Sequence, residues 1–323
     1  MILVTGGAGY IGSHTVKALQ TAGLAPVIFD NFSTGHRSFL KHTPAFEGDI
    51  RNRADLEEAF RKFEIEGVLH FAGKALVGES AKKPDLYYET NFNGGLNLLT
   101  AMRNRGIRYL IFSSTCATYG VPERVPIPED HPQNPINPYG ESKLAFERAL
   151  RWMQEAYGIE YLSMRYFNAA GADADGEFGE DHEPETHLIP LALQAAAGSR
   201  QEVQIFGVDY PTPDGTCLRD YIHVSDLASA HVVGLQALMQ GRVRSQAMNL
   251  GTGQGHSVRH VIDTVRRVTG RTFKVRETGR REGDPPELVA AADRAEELLG
   301  WTPVHSALDE IVSSAWRWLQ KGQ

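Results

Sequence analysis

The chain has 323 residues, 41% of them hydrophobic and 23% charged, with a formal net charge of −7. That length suggests two domains, or one large domain with an appendage, and it suffices to bury a core without staples. The acidic balance argues against a nucleic-acid binder, which normally carries a basic stripe, and two cysteines imply no disulfide framework. The apolar stretches 188–198 and 227–239 are broken by Pro190, Gln194, His231 and Gly234, short of the roughly 18 residues of a membrane span. The start, Met1-Ile2-Leu3-Val4-Thr5, lacks the basic segment of a signal peptide, so a cytoplasmic location is expected.

Along the chain, 2–4, 26–29, 68–71, 109–112 and 159–164 are apolar runs without polar alternation, the pattern of parallel strands covered on both faces. Leu56, Ala59, Phe60 and Phe63 lie at helical spacing, and 138–157 opens on Pro138 and stops at Gly158, which suits a helix. Alternation of strand and helix over 1–165 predicts an α/β domain with a doubly wound parallel sheet of Rossmann type. Beyond it, 175–185 is an acidic loop, 207–217 is rich in Gly, Pro and Asp, and Val258, Val261, Ile262, Val265 and Val268 mark a helix over 257–269. Residues 166–323 are therefore expected to form a smaller C-terminal α/β domain, with some segments crossing back to the sheet.

The first strand runs straight into Gly6-x-x-Gly9-x-x-Gly12. Gly6 permits a tight turn, Gly9 lets the backbone approach a pyrophosphate, and Gly12 allows close helix–strand packing, with the helix N-terminus facing the phosphates. Asp30 ends the second run 18 residues after Gly12. A carboxylate there accepts hydrogen bonds from a ribose diol and repels a 2′-phosphate, which favours NAD over NADP. Asp49-Ile50 ends the next strand-like run and is placed to meet the adenine.

Tyr139 and Lys143 in PYGESK lie at i and i+4 on a helix, on one face. A tyrosine is a poor base near neutrality, with a reference pKa of about 10, but a nearby ammonium and a positive nicotinamide ring stabilise its phenolate. Ser113-Ser114-Thr115 follows the strand at 109–112, at the C-terminal strand end where ligands bind in open parallel sheets. A hydroxyl there is placed to relay or orient the same proton.

TGGAGYIGSH at 5–14, SST at 113–115 and PYGESK at 138–143 resemble the extended short-chain dehydrogenase/reductase superfamily. FDN at 29–31, EGDI at 47–50, HFAG at 70–73, VGES at 77–80 and RYFNAAGA at 165–172 narrow it further. So do HLIP at 187–190, FGVDYPTPDGT at 206–216, RDYIHVSDLA at 219–228, NLGTG at 249–253 and RREGDP at 280–285. Together they are similar to the UDP-galactose (UDP-glucose) 4-epimerase family, over essentially the whole chain.

The resemblance implies an isomerase that keeps NAD tightly bound and regenerates it in each turnover. A 4-keto sugar forms and receives its hydride back on the other face. Tyr139 matches the base for the sugar 4-hydroxyl, Lys143 the lysine on the nicotinamide ribose, and Thr115 the hydroxyl beside the reacting oxygen. Gly6, Gly9, Tyr10, Ile11, Gly12, Asp30, Asn31, Asp49, Ile50, Phe71, Ala72, Gly73, Lys74, Asn91 and Phe167 match cofactor positions, with Tyr139 and Lys143. Asn168, Leu188, Phe206, Arg219, Tyr221, Arg281, Asp284 and Leu288 match nucleotide-sugar positions, with Thr115 and Tyr139. Arg219 and Arg281 suit a diphosphate, since planar guanidinium groups pair with it well. In three places the chain departs from the pattern: Lys74 follows Gly73 directly, His187 stands where many members have Asn, and Leu288 stands where Tyr or a small residue tunes tolerance for an N-acetyl group. A homodimer formed through the stretches 84–104 and 138–157 is implied as well.

The alternatives are a UDP-N-acetylglucosamine or UDP-xylose 4-epimerase, and a non-catalytic NAD-binding sensor, which would often lack the tyrosine or lysine. A 4,6-dehydratase needs an acid pair after the strand-end threonine, where this chain has Cys116-Ala117. No metal is expected: the 175–185 cluster lacks EF-hand spacing, and His256 with His260 has no third ligand.

Overall fold

Ile2, Leu3 and Val4 are buried to the last few per cent, because the strand they form lies inside a sheet covered on both faces. The structure, a computed structural model, describes residues 1–281 and 283–321. Glu282 of the RREGDP stretch and the last two residues of the 166–323 region lie outside the described residues.

The main strands are β1 (Ile2–Thr5), β2 (Pro26–Asp30), β3 (Ala45–Glu47), β4 (Gly67–His70), β5 (Tyr109–Thr115) and β6 (Glu160–Tyr166). Five of these agree with a predicted apolar run to within three residues at either end, and β3 lies at the start of the strand-like run that ends at Asp49-Ile50. Leu3, Val27, Phe29, Val68, Leu110 and Phe112 point to one face, where they meet Leu56, Leu98, Leu99, Phe146 and Leu150. Val4, Ile28, Leu69, Ile111, Leu162 and Met164 point to the other, against Val16, Leu19, Leu227 and Leu235. This two-residue alternation of faces is why consecutive positions in the middle of these strands are apolar.

The smaller region carries β7 (Asn168–Ala170), β8 (Glu202–Phe206), β9 (Leu218–His223), β10 (Gln246–Leu250), β11 (Gly255–Ser257), β12 (Lys274–Thr278) and β13 (Glu287–Leu288). β11, β9, β13 and β7 make a four-stranded sheet, and β8 pairs with β12. Its core is formed by Ile189, Leu193, Ile205, Tyr221, Ile262, Val265, Ile311 and Val312. β10 does not stay there. It pairs in parallel with β6, Gln246 opposite Leu162 and Leu250 opposite Tyr166, and closes a seven-stranded sheet of order β10-β6-β5-β4-β1-β2-β3. The helix Val224–Met239 also returns, packing on the helix Tyr10–Thr21. Without β10, β6 would be an open edge.

Two helical stretches frame the site. Pro138–Tyr157 is one helix whose N-cap, Asn137, accepts a hydrogen bond from the Gly140 amide at 2.9 Å, and Gly158 ends it with φ of 69°. The stretch 84–104 is helical throughout, but not uniformly α-helical: Tyr88–Gly94 is a π turn between Pro84–Tyr87 and Gly95–Asn104. Such wide turns recur at functional sites because they displace one residue from the helix register; here the π turn contains Asn91.

Candidate active site

β1 and β4 are neighbours, and the chain leaves them in opposite directions across the sheet. This is the switch point at which open α/β sheets leave a crevice. The amides of Phe71 and Ala72 both donate to the Thr5 carbonyl, at 2.9 and 3.0 Å, so the loops after the two strands touch. Gly6 has φ of +72°, and a Cβ on it would stand 2.6 Å from the Ala72 nitrogen. A Cβ on Gly12 would stand 2.1 Å from the Gly6 carbonyl oxygen. Only glycine fits either place, and the result is a backbone cradle that opens onto the N-terminus of the helix Tyr10–Thr21.

Asp30 is buried at the end of β2. Its carboxylate accepts from the Ala8 amide at 3.0 Å and from the Phe32 amide at 2.8 Å. Burial pushes its pKa up, and these amides oppose the shift. Asp30 therefore staples the glycine loop as well as facing the crevice, a second role its spacing alone does not reveal. Asn31 donates to Asp49 at 2.9 Å, and Asp49 is held to about 2 chiefly by its hydrogen bonds from Arg51. Ile50 is buried against Gly94. Tyr10 turns its hydroxyl away from the cradle to donate to the Gly171 carbonyl at 2.6 Å, which leaves its backbone and that of Ile11 to face the crevice.

Asn91, in the π turn, has its side chain fully committed. Its oxygen accepts from the Lys74 amide at 2.7 Å, and its nitrogen donates to the Lys74 carbonyl and the Ser142 hydroxyl, both at 3.0 Å. Asn91 thus fixes the backbone of Gly73-Lys74. A Cβ on Gly73 would lie 2.9 Å from the Asn91 oxygen and 3.5 Å from the Lys143 ammonium, so Gly73 keeps the crevice wall thin.

The residues Thr115, Tyr139 and Lys143 meet at the C-terminal end of β5. Gly140 makes this possible: a Cβ there would be 2.5 Å from the Ala117 carbonyl oxygen, so a larger residue would lift the helix off the loop. Thr115 accepts from the Ala117 amide at 3.1 Å, which leaves its own proton free to donate. Burial pushes the Tyr139 phenol up to about 12, and the Thr115 hydroxyl beside it pulls the other way. Lys143 is buried, donates to the Ser113 carbonyl at 2.8 Å, and lies 4.9 Å from the Phe112 ring centroid. Burial lowers its ammonium to about 8. Cys116 is buried too, its thiol pushed up to about 12, so it is a neutral wall residue and no nucleophile.

On the other side, Asn168 on β7 stands opposite Tyr221 on β9 and donates to the Asp220 carbonyl at 3.0 Å. Arg219 on β9 stands opposite Leu288 on β13 and is paired with Asp284. Arg281 is exposed, its guanidinium 4.4 Å above the Phe206 ring. Leu188 opens the helix Leu188–Ala197 and packs on the smaller core. Leu288 packs on a cluster of Cys116, Tyr119, Ile127, Phe167 and Ala290. That cluster ties the arginine side of the cleft to the strand end carrying Thr115.

Sequence reasoning missed the polar network beneath the site. Glu147, on the same helix as Tyr139 and Lys143, takes both Nε (3.0 Å) and Nη2 (2.6 Å) of Arg165 and accepts from Ser114. Arg165 also donates to the Tyr119 hydroxyl, which donates to Asn249 at 2.7 Å. The one available signal was helical spacing, since Glu147 follows Lys143 by one turn.

Residues 2–251 match the NAD dependent epimerase/dehydratase family. A UDP-glucose 4-epimerase of Rhizobium leguminosarum bv. trifolii is 52% identical over 320 residues, covering 99% of this chain and 97% of that protein. The crystal structure of UDP-glucose 4-epimerase from Brucella ovis in complex with NAD superposes with a TM-score of 0.95 at 51% identity, over 98% of this chain and 97% of that one. The enzyme from Stenotrophomonas maltophila, solved with bound NAD and formylated UDP-arabinopyranose, gives 0.96 at 40% identity, over 99% and 98%.

Proposed function

The chain belongs to the NAD dependent epimerase/dehydratase family, and on that premise we propose that it is a UDP-glucose 4-epimerase, an NAD-dependent isomerase that interconverts UDP-galactose and UDP-glucose. The observation that carries the chemistry is the meeting of Thr115, Tyr139 and Lys143 beside the glycine cradle.

The cradle fits a dinucleotide: Gly6 and Gly12 leave backbone where a Cβ would intrude. The Gly6–Gly12 backbone would hold the pyrophosphate, Asp30 the adenosine ribose, and Lys143 the nicotinamide ribose. The chemistry NAD supplies when bound is reversible hydride acceptance. Tyr139 takes the 4-hydroxyl proton, and Thr115 orients that hydroxyl by a donated hydrogen bond. Lys143 brings positive charge to a phenol that burial alone holds too high to act as base near neutrality. Arg219 and Arg281 receive the diphosphate, and Asn168, Leu188, Phe206 and Tyr221 the rest of the nucleotide. After the 4-keto sugar turns over, Tyr139 returns the proton. No carboxylic acid follows Thr115: burial keeps the Cys116 thiol a very weak acid and Ala117 has no ionisable group, so elimination of water lacks the acid pair it needs.

The enzyme works as a cytoplasmic homodimer. In support, the helices 84–104 and 138–157 pack side by side, with Tyr88 on one and Trp152 on the other exposed. Among the described residues, no helix is long and apolar enough to cross a membrane.

The test is to incubate the purified protein with UDP-galactose and no added cofactor. UDP-glucose should form without net NADH, and the nucleotide released on denaturation should be NAD. Release of NADP would overturn the role of Asp30, and failure to turn over any UDP-sugar would return the protein to the sensor reading.

A further inference from the structure

The loop before Leu188 reads Glu180-Asp181-His182-Glu183-Pro184-Glu185-Thr186-His187. It folds back on itself so that one donor atom from each of Glu180, His182, Glu185 and His187 lies within 4.8 Å of the other three. His182 Nε2 is 3.3 Å from Glu180 Oε1 and 3.7 Å from Glu185 Oε1, and His187 Nδ1 is 2.5 and 3.7 Å from the same two oxygens. A tetrahedral ion with ligands at about 2.0–2.2 Å sets its donors roughly 3.3–3.6 Å apart. Three of these distances already lie close to that spacing. The short fourth is a hydrogen bond whose proton an ion would replace.

Two further observations separate this cluster from ordinary surface acids. The Glu180 and Glu185 side chains are only 6% and 9% exposed, and among the described residues their ion-pair partners are these two histidines. The nearby Asp173, Asp175 and Glu177 are different: Lys17 already pairs with all three, at 2.9, 2.6 and 3.0 Å. Moreover, His182 Nδ1 lies 3.1 Å from the Pro184 carbonyl. A proton on Nδ1 leaves Nε2 as the lone-pair nitrogen aimed at the carboxylates, the arrangement by which metal-ligating imidazoles are oriented.

We propose that Glu180, His182, Glu185 and His187 form a structural zinc site. Two imidazoles and two carboxylates suit zinc, whereas calcium and magnesium take oxygen ligands throughout. Four protein ligands close the coordination sphere, so the ion has no position left for substrate. Its place explains its use. The Glu180 carbonyl accepts from the Trp318 indole at 3.2 Å, and the Asp181 carbonyl lies 2.7 Å from His36 Nε2. The His36 amide donates to Ala8 of the glycine loop at 2.9 Å. His187 leads directly into Leu188. The ion therefore pins together the outer wall of the dinucleotide cradle, the C-terminal helix and the nucleotide-sugar segment.

The experiment uses the NAD-loaded protein, stripped by chelator and titrated with Zn²⁺ against a chromophoric competitor. One ion per chain is expected, with a rise in Tm that follows Zn²⁺ concentration. His182→Ala and Glu185→Gln should each weaken binding by about 100-fold or more, beyond the 10–100-fold typical of losing an outer-shell partner. Asp175→Asn should leave it unchanged. Should a variant fail to fold, X-ray absorption on the zinc-loaded wild type decides. Four nitrogen and oxygen ligands at about 2.0 Å support the site. Sulfur ligands, six-coordination, or wild-type affinity no better than that of His182→Ala would overturn it.

Discussion

Glu147 and Arg165 share two hydrogen bonds at 3.0 and 2.6 Å, with both side chains under one-tenth exposed. One comes from the helix that carries Tyr139 and Lys143, the other from the strand next to the one that carries Thr115. The pair therefore braces the helix of Tyr139 and Lys143 against the strands at the end of which Thr115 lies. Glu147→Gln should destabilise the protein by about 3–5 kcal/mol, because a buried guanidinium is left uncompensated. Urea unfolding of the NAD-bound protein checks this. Glu147→Leu combined with Arg165→Met should recover part of the loss, since removing both charges ends the imbalance.

Tyr139→Phe should lower kcat by about 10² or more, the scale of a lost positioned acid–base group. The sign of the pH effect follows from charge. Positive neighbours favour the phenolate, so the activity falls as pH drops through the phenol's effective pKa. Lys143→Met removes one positive charge and raises that pKa. The acid limb of the kcat profile should therefore move to higher pH, and the variant should regain activity as pH rises. A limb that stays in place would deny Lys143 any electrostatic part.

Leu288 is half-buried on the cluster of Cys116 and Phe167, against the strand end that carries Thr115. Leucine leaves room that tyrosine would fill, so some turnover of UDP-N-acetylglucosamine is expected beside that of UDP-glucose. Leu288→Tyr should penalise the larger sugar by roughly 1–3 kcal/mol, typical of added volume in a packed site, or about 5- to 150-fold in relative kcat/KM. The ratio of kcat/KM for the two substrates, before and after substitution, is the measurement; an unchanged ratio moves the specificity wall elsewhere.

Trp152 is 60% exposed on the helix Pro138–Tyr157. The proposed dimer would cover this side chain, and aromatic residues are enriched in interface cores. Sedimentation at micromolar concentration should give a dimer, and Trp152→Glu should shift it toward monomer. A monomeric wild type would sink the assembly.

The sheet was legible in the sequence because buried parallel strands are written as unbroken apolar runs, as at 2–4 and 109–112. The cradle was legible because Gly6 and Gly12 have no substitute at those backbone approaches. Gly140 carries the same kind of constraint, but a lone glycine inside a helix gives no hint that Ala117 lies against it. The π turn at Tyr88–Gly94 was hidden for another reason: periodicity fixes that a stretch is helical, not where one extra residue enters a turn. Glu180 reads as part of the acidic loop 175–185 and His187 only as a departure from the family pattern, since the folding-back of this loop depends on tertiary contacts of Glu180 with Trp318 and of Asp181 with His36.

Strand β10 bears on how the cleft moves. The polypeptide passes between the large sheet and the small one at 166–168, at 223–224 and again at 250–255. A hinge concentrates rotation in a few residues, and here three separate crossings would have to rotate together. A cleft strapped in this way suits an inversion in which the sugar turns inside the walls. Which guests qualify is then a matter of static clearance at side chains such as Leu288, rather than of how far two lobes swing apart.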